Sequence, residues 1–420
     1  MYYNYSWVFI CDKNRYYILN RLTKEKIEIN HDMFTYLESI YQKEVIDLEI
    51  SVYGDEFYKT LERIGIFSKE KKYEFCDVKK VNNETNYLKR IFIEVTNKCN
   101  EFCEHCYNSS SKFLNEKLEI NSLKKLIDES HNMGAYEFQI TGGEPMLYRH
   151  IGELMDYLWK KGFAITINTN LTILNKKILE KIIKYGVKIN FSLDFSEAAK
   201  HDEFRGLQGA FDATIRNYHI LKENRINTRV NVMLDNKTDE EIEKLINYIK
   251  ENLESNYVAD YAFPTGRAEN KEINLFKDKA QKLYGYINSI ANTCSKCQIS
   301  NENIDDLNIE NLQFYDCGIG REFIFVNAKG EYALCPSLAY NEEFLIGKNI
   351  NNTCLKSAWE MLCHKYKNQM RCKAMDTCEF KENCKGGCRS RAYHSYGEIT
   401  EIDPLACGLY NTEEYNKRRS

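Results

Sequence analysis

The sequence has no apolar run of eighteen residues, so nothing in it reads as a membrane-spanning helix. Its first residues, Met1-Tyr2-Tyr3-Asn4, lack the basic and then apolar pattern of a secretion signal, and the reading is a cytoplasmic protein with no membrane partner. It also lacks a basic block that could track a phosphate backbone. Its 58 lysines and arginines stand against 62 acidic residues, a net charge of −4, which argues against nucleic acid as a partner. Proline is scarce, four in 420 residues; with the richness in Asn, Lys, Ile and Tyr this is a compositional bias from which no function follows. The length calls for two or three domains.

Cysteine, by contrast, is plentiful. Sixteen cysteines in a compartment that keeps thiols reduced make metal ligation the default reading, ahead of disulfides. Three of them lie in Cys99-Asn100-Glu101-Phe102-Cys103-Glu104-His105-Cys106-Tyr107, spaced C-x3-C-x2-C after an apolar strand-like run. An iron–sulfur cube is usually held by four cysteines, so a loop offering three leaves one iron with open positions where chemistry can happen. Zinc is the rival metal. It would need His105 as fourth ligand, and His105 abuts Cys106 without a spacer.

C-x3-C-x2-C followed by an aromatic residue resembles the radical SAM enzymes. The resemblance implies that Cys99, Cys103 and Cys106 hold a [4Fe–4S] cluster whose open iron is chelated by S-adenosylmethionine. It further implies that electrons come from a donor such as flavodoxin or ferredoxin, and that reductive cleavage gives a 5′-deoxyadenosyl radical. The cofactors carry the hard chemistry, while the protein binds, orients and excludes water.

The rest of the chain is consistent with that expectation. Strand candidates Ile91–Val95, Phe138–Ile140, Phe163–Ile167, Val187–Phe191 and Thr228–Val232 each precede a helical stretch, and Tyr261–Arg267 ends a sixth. Strands alternating with helices predict a parallel sheet whose ligands sit at the C-terminal strand ends. The clearest helix opens at Thr238, where Thr238 and Glu241 form a capping box. After the second strand, Thr141-Gly142-Gly143-Glu144-Pro145 offers close backbone approach and a carboxylate, although Gly-Gly before Pro is also an ordinary turn. By resemblance this segment holds the methionyl amino group, Ser192 and Asp194 end the ribose-binding strand, and Arg205 takes the cofactor carboxylate. Tyr107 and Asn170 complete the implied contacts. Leu171 stands where the family usually has glycine, which weakens the case for direct contact at Asn170.

Eleven cysteines fall after residue 290. Their pattern resembles the SPASM extension, which carries two auxiliary [4Fe–4S] clusters in peptide- and protein-modifying radical SAM enzymes. The resemblance implies Cys372, Cys378, Cys384 and Cys407 at a distal cluster, and Cys317, Cys335 and Cys388 at a proximal one. The fourth proximal ligand stays open among Cys294, Cys297, Cys354, Cys363 and a substrate thiolate. A zinc ribbon is the alternative, since paired cysteines also build zinc sites. Sulfatase-maturing relatives have a cysteine and an aspartate where this chain has Phe323 and Pro336. Cys11 and Cys76 lie outside both sets and need no role.

Before the barrel, Trp7–Ile10 and Tyr16–Leu19 predict a hairpin, and Met33, Phe34, Leu37 and Ile40, then Phe57, Leu61 and Ile64, predict two helical faces. That outline resembles the winged-helix leader-recognition domain of peptide-modifying enzymes, which adds a leader peptide as a strand; the plain alternative is an unliganded cap. The expected α/β fold is therefore a partial (β/α)6 TIM-type barrel (91–290), a winged-helix-like domain (1–70), a linker (71–90) and a cysteine-rich SPASM domain (291–420). The expected function is maturation of a ribosomally made precursor peptide with a leader, by a cross-link such as a cysteine thioether. Carbon–carbon cross-linking, oxidation, epimerisation and modification of a folded protein are the alternatives within that family. A non-catalytic iron–sulfur or zinc protein is the rival from another class.

Overall fold

The structure, a computed structural model, describes residues 2–12, 15–23, 25–41, 55–68, 88–235, 237–269, 318–366 and 370–410. Cys76, Cys294, Cys297 and Cys317 lie outside the described residues.

The N-terminal module runs Tyr2–Tyr3 (β1), Trp7–Asp12 (β2), Arg15–Asn20 (β3), Lys26–Ile29 (β4), helices His31–Tyr41 (α1) and Asp55–Arg63 (α2), and Phe67–Ser68 (β5). β2 and β3 form the hairpin, with Phe9 opposite Ile18, and β4 adds to β3 as an outer strand of the three. The abundance of aromatic residues finds a use here: Tyr41 of α1 stands edge-on to Tyr3 at 4.8 Å and to Phe9 at 5.1 Å, a geometry that pairs ring edges with ring faces. The sequence reading missed β4, whose half-exposed Lys-Ile-Glu-Ile has little apolar weight.

Arg90–Glu94 (β6), Glu137–Thr141 (β7), Ala164–Thr169 (β8), Lys188–Ser192 (β9), Thr228–Met233 (β10) and Asn256–Asp260 (β11) lie side by side in chain order, all parallel. Strand periodicity sends alternate residues to opposite faces. One set, including Ile93, Ile140, Ile167, Phe191 and Val232, joins the core with the helices. The other set is polar: Asn168 Oδ1 accepts from Gln139 Nε2 at 3.4 Å and from Asn190 Nδ2 at 2.8 Å. The barrel thus has an apolar outside, sealed by helices, and an amide-lined inside. Thr238 caps the helix Asp239–Tyr248 with the reciprocal Glu241 bond.

Two boundaries differ from the sequence reading. Leu88 is buried, and the amides of Lys89 and Arg90 both donate to Glu322 O, so the barrel begins before residue 91. The C-terminal region is also not a separate layer. Phe323–Val326 (β12) lies parallel to β6, and Glu331–Ala333 (β13) and Leu345–Asn349 (β14) follow antiparallel, extending one sheet to nine strands. All four β12 residues are buried, so both faces of this strand are covered. No helix among the described residues is long and apolar enough to cross a membrane.

The N-terminal module is pinned to the barrel by Arg21, which no sequence pattern marks. Its guanidinium lies 3.5 Å from the Trp159 ring centroid and donates to Trp159 O at 2.8 Å and to Tyr5 O. A cation–π contact and two carbonyls together stabilise a cation that is almost wholly buried, although its Nε has no hydrogen-bond partner among the described residues.

Candidate active site

The three-cysteine loop leaves the end of β6 and is held from four sides. Val95 N donates to Thr141 O and Cys99 N to Ser111 O, fixing its two arms. Asn170, just beyond β8, donates from Nδ2 to Asn100 Oδ1 at 2.9 Å, and Asn100 donates in turn to Thr172 Oγ1 at 2.8 Å. Arg267, in the short turn Gly266–Ala268 that follows β11, donates from Nε to Cys103 O at 2.7 Å and from Nη1 to Ser110 O at 2.8 Å, while its guanidinium covers the Phe102 ring at 4.0 Å. Leu171 keeps a left-handed backbone with φ 59° although it is not glycine. A side chain there costs roughly 1–2 kcal/mol, offset by its complete burial in the core.

Gly142 and Gly143 have a reason that the turn reading does not supply. A Cβ on Gly143 would overlap Lys98 O and sit 2.9 Å from Asn97 O, because the loop's first arm lies directly on the glycines. Gly143 N donates to Thr96 O at 2.7 Å and Glu144 N to Lys98 O at 2.9 Å. Gly143→Ala should therefore cost about 1–3 kcal/mol by overpacking and lower iron uptake on reconstitution, measured by melting and iron assay. Unchanged values for both would show that the loop rests elsewhere.

Glu144 is fully buried, and both of its oxygens are engaged by the protein. Oε1 accepts from Met146 N at 2.9 Å and Thr169 Oγ1 at 2.7 Å, and Oε2 from Asn170 N at 2.8 Å. Burial pushes its pKa up to about 7 against those bonds. Its visible work is to tie the ends of β7 and β8 together.

The arrangement is densest around Arg205. Its Nε donates to Asp194 Oδ2 at 2.7 Å, and Nη1 reaches Glu101 Oε2 at 3.4 Å and Cys103 Sγ at 3.6 Å. Asp194, beyond β9, also accepts from Met233 N at 2.8 Å. Burial alone would raise the Asp194 pKa, but Arg205 and then Lys237 hold it well below the usual carboxylate range. Lys237, another residue the sequence reading missed, lies over Phe195 and Phe204 at 4.1 and 4.4 Å, and burial lowers its pKa to about 8. Ser192 ends β9 two residues before Asp194 and is half-buried.

Burial raises the pKa of all three loop thiols, that of Cys99 to about 12. Buried thiolates need cations, and metal ligation supplies them. Arg205 beside Cys103 and Arg267 beside Cys106 supply part of that charge already. Three thiols on one loop beside the polar mouth of a parallel barrel can hold a metal centre open to a ligand.

Glu94, the last residue of β6, was also missed. It is fully buried and accepts from the hydroxyls of Tyr107 and Tyr340, from Asn108 Nδ2 at 3.0 Å and from Ala328 N at 3.2 Å. One carboxylate thereby joins the barrel, the cysteine loop and the C-terminal region. Its signal in the sequence was an acidic residue closing an otherwise apolar strand.

Among the later cysteines, the structure brings Cys372, Cys378 and Cys384 within electrostatic reach of one another, and packs Cys372 with Cys407 around Ile402. Cys335 and Cys388 lie on neighbouring segments bridged by Ser337 Oγ and Ser390 Oγ at 2.7 Å. Cys354 is exposed just before the helix Leu355–Tyr366, and Cys363 is half-buried within it. Arg391 spans from this region to the barrel, donating to both oxygens of Asp260 at 2.8 and 3.0 Å and to Asp403 at 3.0 Å.

The radical SAM superfamily profile matches residues 93–249. The chain is 27% identical over 343 residues to an AdoMet-dependent heme synthase of Methanosarcina barkeri, covering 76% of this chain and 96% of that protein. It is 26% identical over 317 residues to the antilisterial bacteriocin subtilosin biosynthesis protein AlbA of Bacillus subtilis, covering 72% and 68%. In fold it is similar to Streptococcus suis SuiB bound to its precursor peptide SuiA, with a TM-score of 0.67 at 16% identity over 97% of this chain and 99% of that one. The S-adenosylmethionine-bound form of SuiB gives a TM-score of 0.64.

Proposed function

Because the protein is a radical SAM superfamily enzyme using S-adenosylmethionine and [4Fe–4S] chemistry, we propose that it matures a ribosomally made precursor peptide in the cytoplasm by forming a cysteine thioether. When bound, the cofactors supply a 5′-deoxyadenosyl radical able to abstract hydrogen from carbon. Cys99, Cys103 and Cys106 would hold the cluster, and Arg205, Asp194, Asn170 and Ser192 would orient S-adenosylmethionine. The amide-lined barrel interior would take the polar backbone of a peptide. Seven later cysteines, Cys317 included, would hold auxiliary clusters.

The observation that carries the peptide reading is the N-terminal module, whose outer strand β4 offers an edge for an extended leader and which Arg21 fixes on the barrel. The precursor bound by SuiB and the bacteriocin role named for AlbA support the same reading. Pro336, standing where sulfatase-maturing relatives carry their aspartate, favours sulfur chemistry over theirs. The heme synthase likeness favours a second reading, chemistry on a tetrapyrrole, which would show as a Soret shift on adding a ferric porphyrin.

The test uses a short cysteine-containing precursor peptide, sought among the reading frames beside the gene. Its product should be lighter by the mass of two hydrogens and have one alkylatable cysteine fewer per cross-link. A product that loses the hydrogens but keeps every thiol would replace the thioether by a carbon–carbon bond or a dehydrogenation. Deleting residues 1–68 should weaken precursor binding by about tenfold or more while uncoupled S-adenosylmethionine cleavage continues. Unchanged affinity would make the module a plain cap.

A further inference from the structure

Three buried carboxylates, Glu101, Glu144 and Asp194, share the strand ends with Arg205 and Lys237. Two of them have both oxygens hydrogen-bonded within the protein. Asp194 takes Arg205 on one oxygen and Met233 N on the other, and Glu144 spends both oxygens on Met146, Thr169 and Asn170.

Glu101 differs. Its Oε2 has only two long contacts, from Cys103 Sγ at 3.3 Å and Arg205 Nη1 at 3.4 Å. Its Oε1 has no donor among the described residues, although the side chain is only 2% exposed. A buried oxygen without a donor carries its full desolvation penalty, so a retained one points to a partner of opposite charge. The carboxylate lies between two loop cysteines and beside Arg205, the residue to which the resemblance gives the cofactor carboxylate.

We propose that Glu101 is a further binding residue for S-adenosylmethionine, its Oε1 accepting a hydrogen bond from the ammonium of the methionyl group. Glu101 would act beside the Gly142–Glu144 segment, to which the resemblance gives the amino group and in which both side-chain oxygens of Glu144 already accept hydrogen bonds from the protein. Arg205 can then pair with the cofactor carboxylate while Glu101 pairs with its ammonium, so both charges of the amino acid meet a partner fixed by the other. The inference rests on the cofactor and not on the peptide reading.

The test is equilibrium dialysis of reconstituted Glu101→Gln with three ligands. S-adenosylmethionine and S-adenosylhomocysteine both carry the ammonium, and 5′-methylthioadenosine lacks the whole amino-acid end. The first two should lose about tenfold or more in affinity, as expected for a charge-assisted bond, and the third should bind as to the unaltered protein. Glu101→Asp, which keeps the charge, should restore part of the loss. Equal weakening of all three ligands would mean that Glu101 acts through the loop fold, and unchanged binding of all three would remove it from the site. Weakening of S-adenosylmethionine alone would assign it to the sulfonium; each of these outcomes overturns the proposal. If Glu101→Gln fails to take up iron, the same ligand comparison on Glu101→Asp decides, since a shortened carboxylate should narrow the preference for S-adenosylhomocysteine over 5′-methylthioadenosine. An unnarrowed preference there overturns the proposal as well.

Discussion

Replacing Cys99, Cys103 and Cys106 together by alanine should remove about four irons per chain from anaerobically reconstituted protein and abolish release of 5′-deoxyadenosine. With two auxiliary clusters, the unaltered protein should hold about twelve irons. The loss should be local, because the loop does not depend on metal alone for its course. Asn170 holds Asn100, Arg267 holds the carbonyls of Cys103 and Ser110, and the Gly142–Gly143 backbone holds its first arm. Circular dichroism of the triple variant should therefore match that of the unaltered protein. Zinc in place of iron, or cleavage surviving the three changes, would sink the catalytic assignment.

Much of this was legible in the sequence because it is local. Five of the six barrel strands could be read as short apolar runs before helical stretches, while the sixth was placed by resemblance, and the Thr238–Glu241 cap announces itself by its spacing. The three-cysteine loop needs no tertiary information, and Asp194 and Arg205 could be placed by resemblance alone. The illegible parts are contacts across long separations. Glu94 looks like any strand-end acid until Tyr340, 246 residues on, donates to it. Arg21 looks solvated until Trp159 covers it, and nothing in Phe323–Val326 says that it will lie against β6 and not close a domain of its own. Gly142 and Gly143 were read as clearing room for a ligand, and the sequence could not show that they also clear room for the backbone of the cysteine loop. Glu144 shows the same limit: a carboxylate after two glycines reads as a ligand contact, and nothing in the sequence announces the three protein donors around it.

Arg205→Met should destabilise the protein by about 3–5 kcal/mol, the usual consequence of stranding a buried charge, and should abolish S-adenosylmethionine binding. The guanidinium serves Asp194 and Glu101 at once, and all three groups are buried, so removing it leaves two carboxylates without their shared cation. The pH dependence gives the sign. In the unaltered protein the folded-state pKa of Asp194 lies below its unfolded value, so the pair's stabilisation is present above the ordinary aspartate range and is lost as pH falls through the folded value. Without Arg205, burial dominates and the folded-state pKa of Asp194 rises above the unfolded one. The variant then gains protons on folding, and its folded state is favoured by acid. Anaerobic unfolding at about pH 8 and about pH 5 should therefore show the largest gap between variant and unaltered protein at the higher pH, narrowing at the lower. A gap that stays constant or widens on acidification would mean that Asp194 is not the group Arg205 keeps ionised, and that the site's charge balance lies in Lys237 instead.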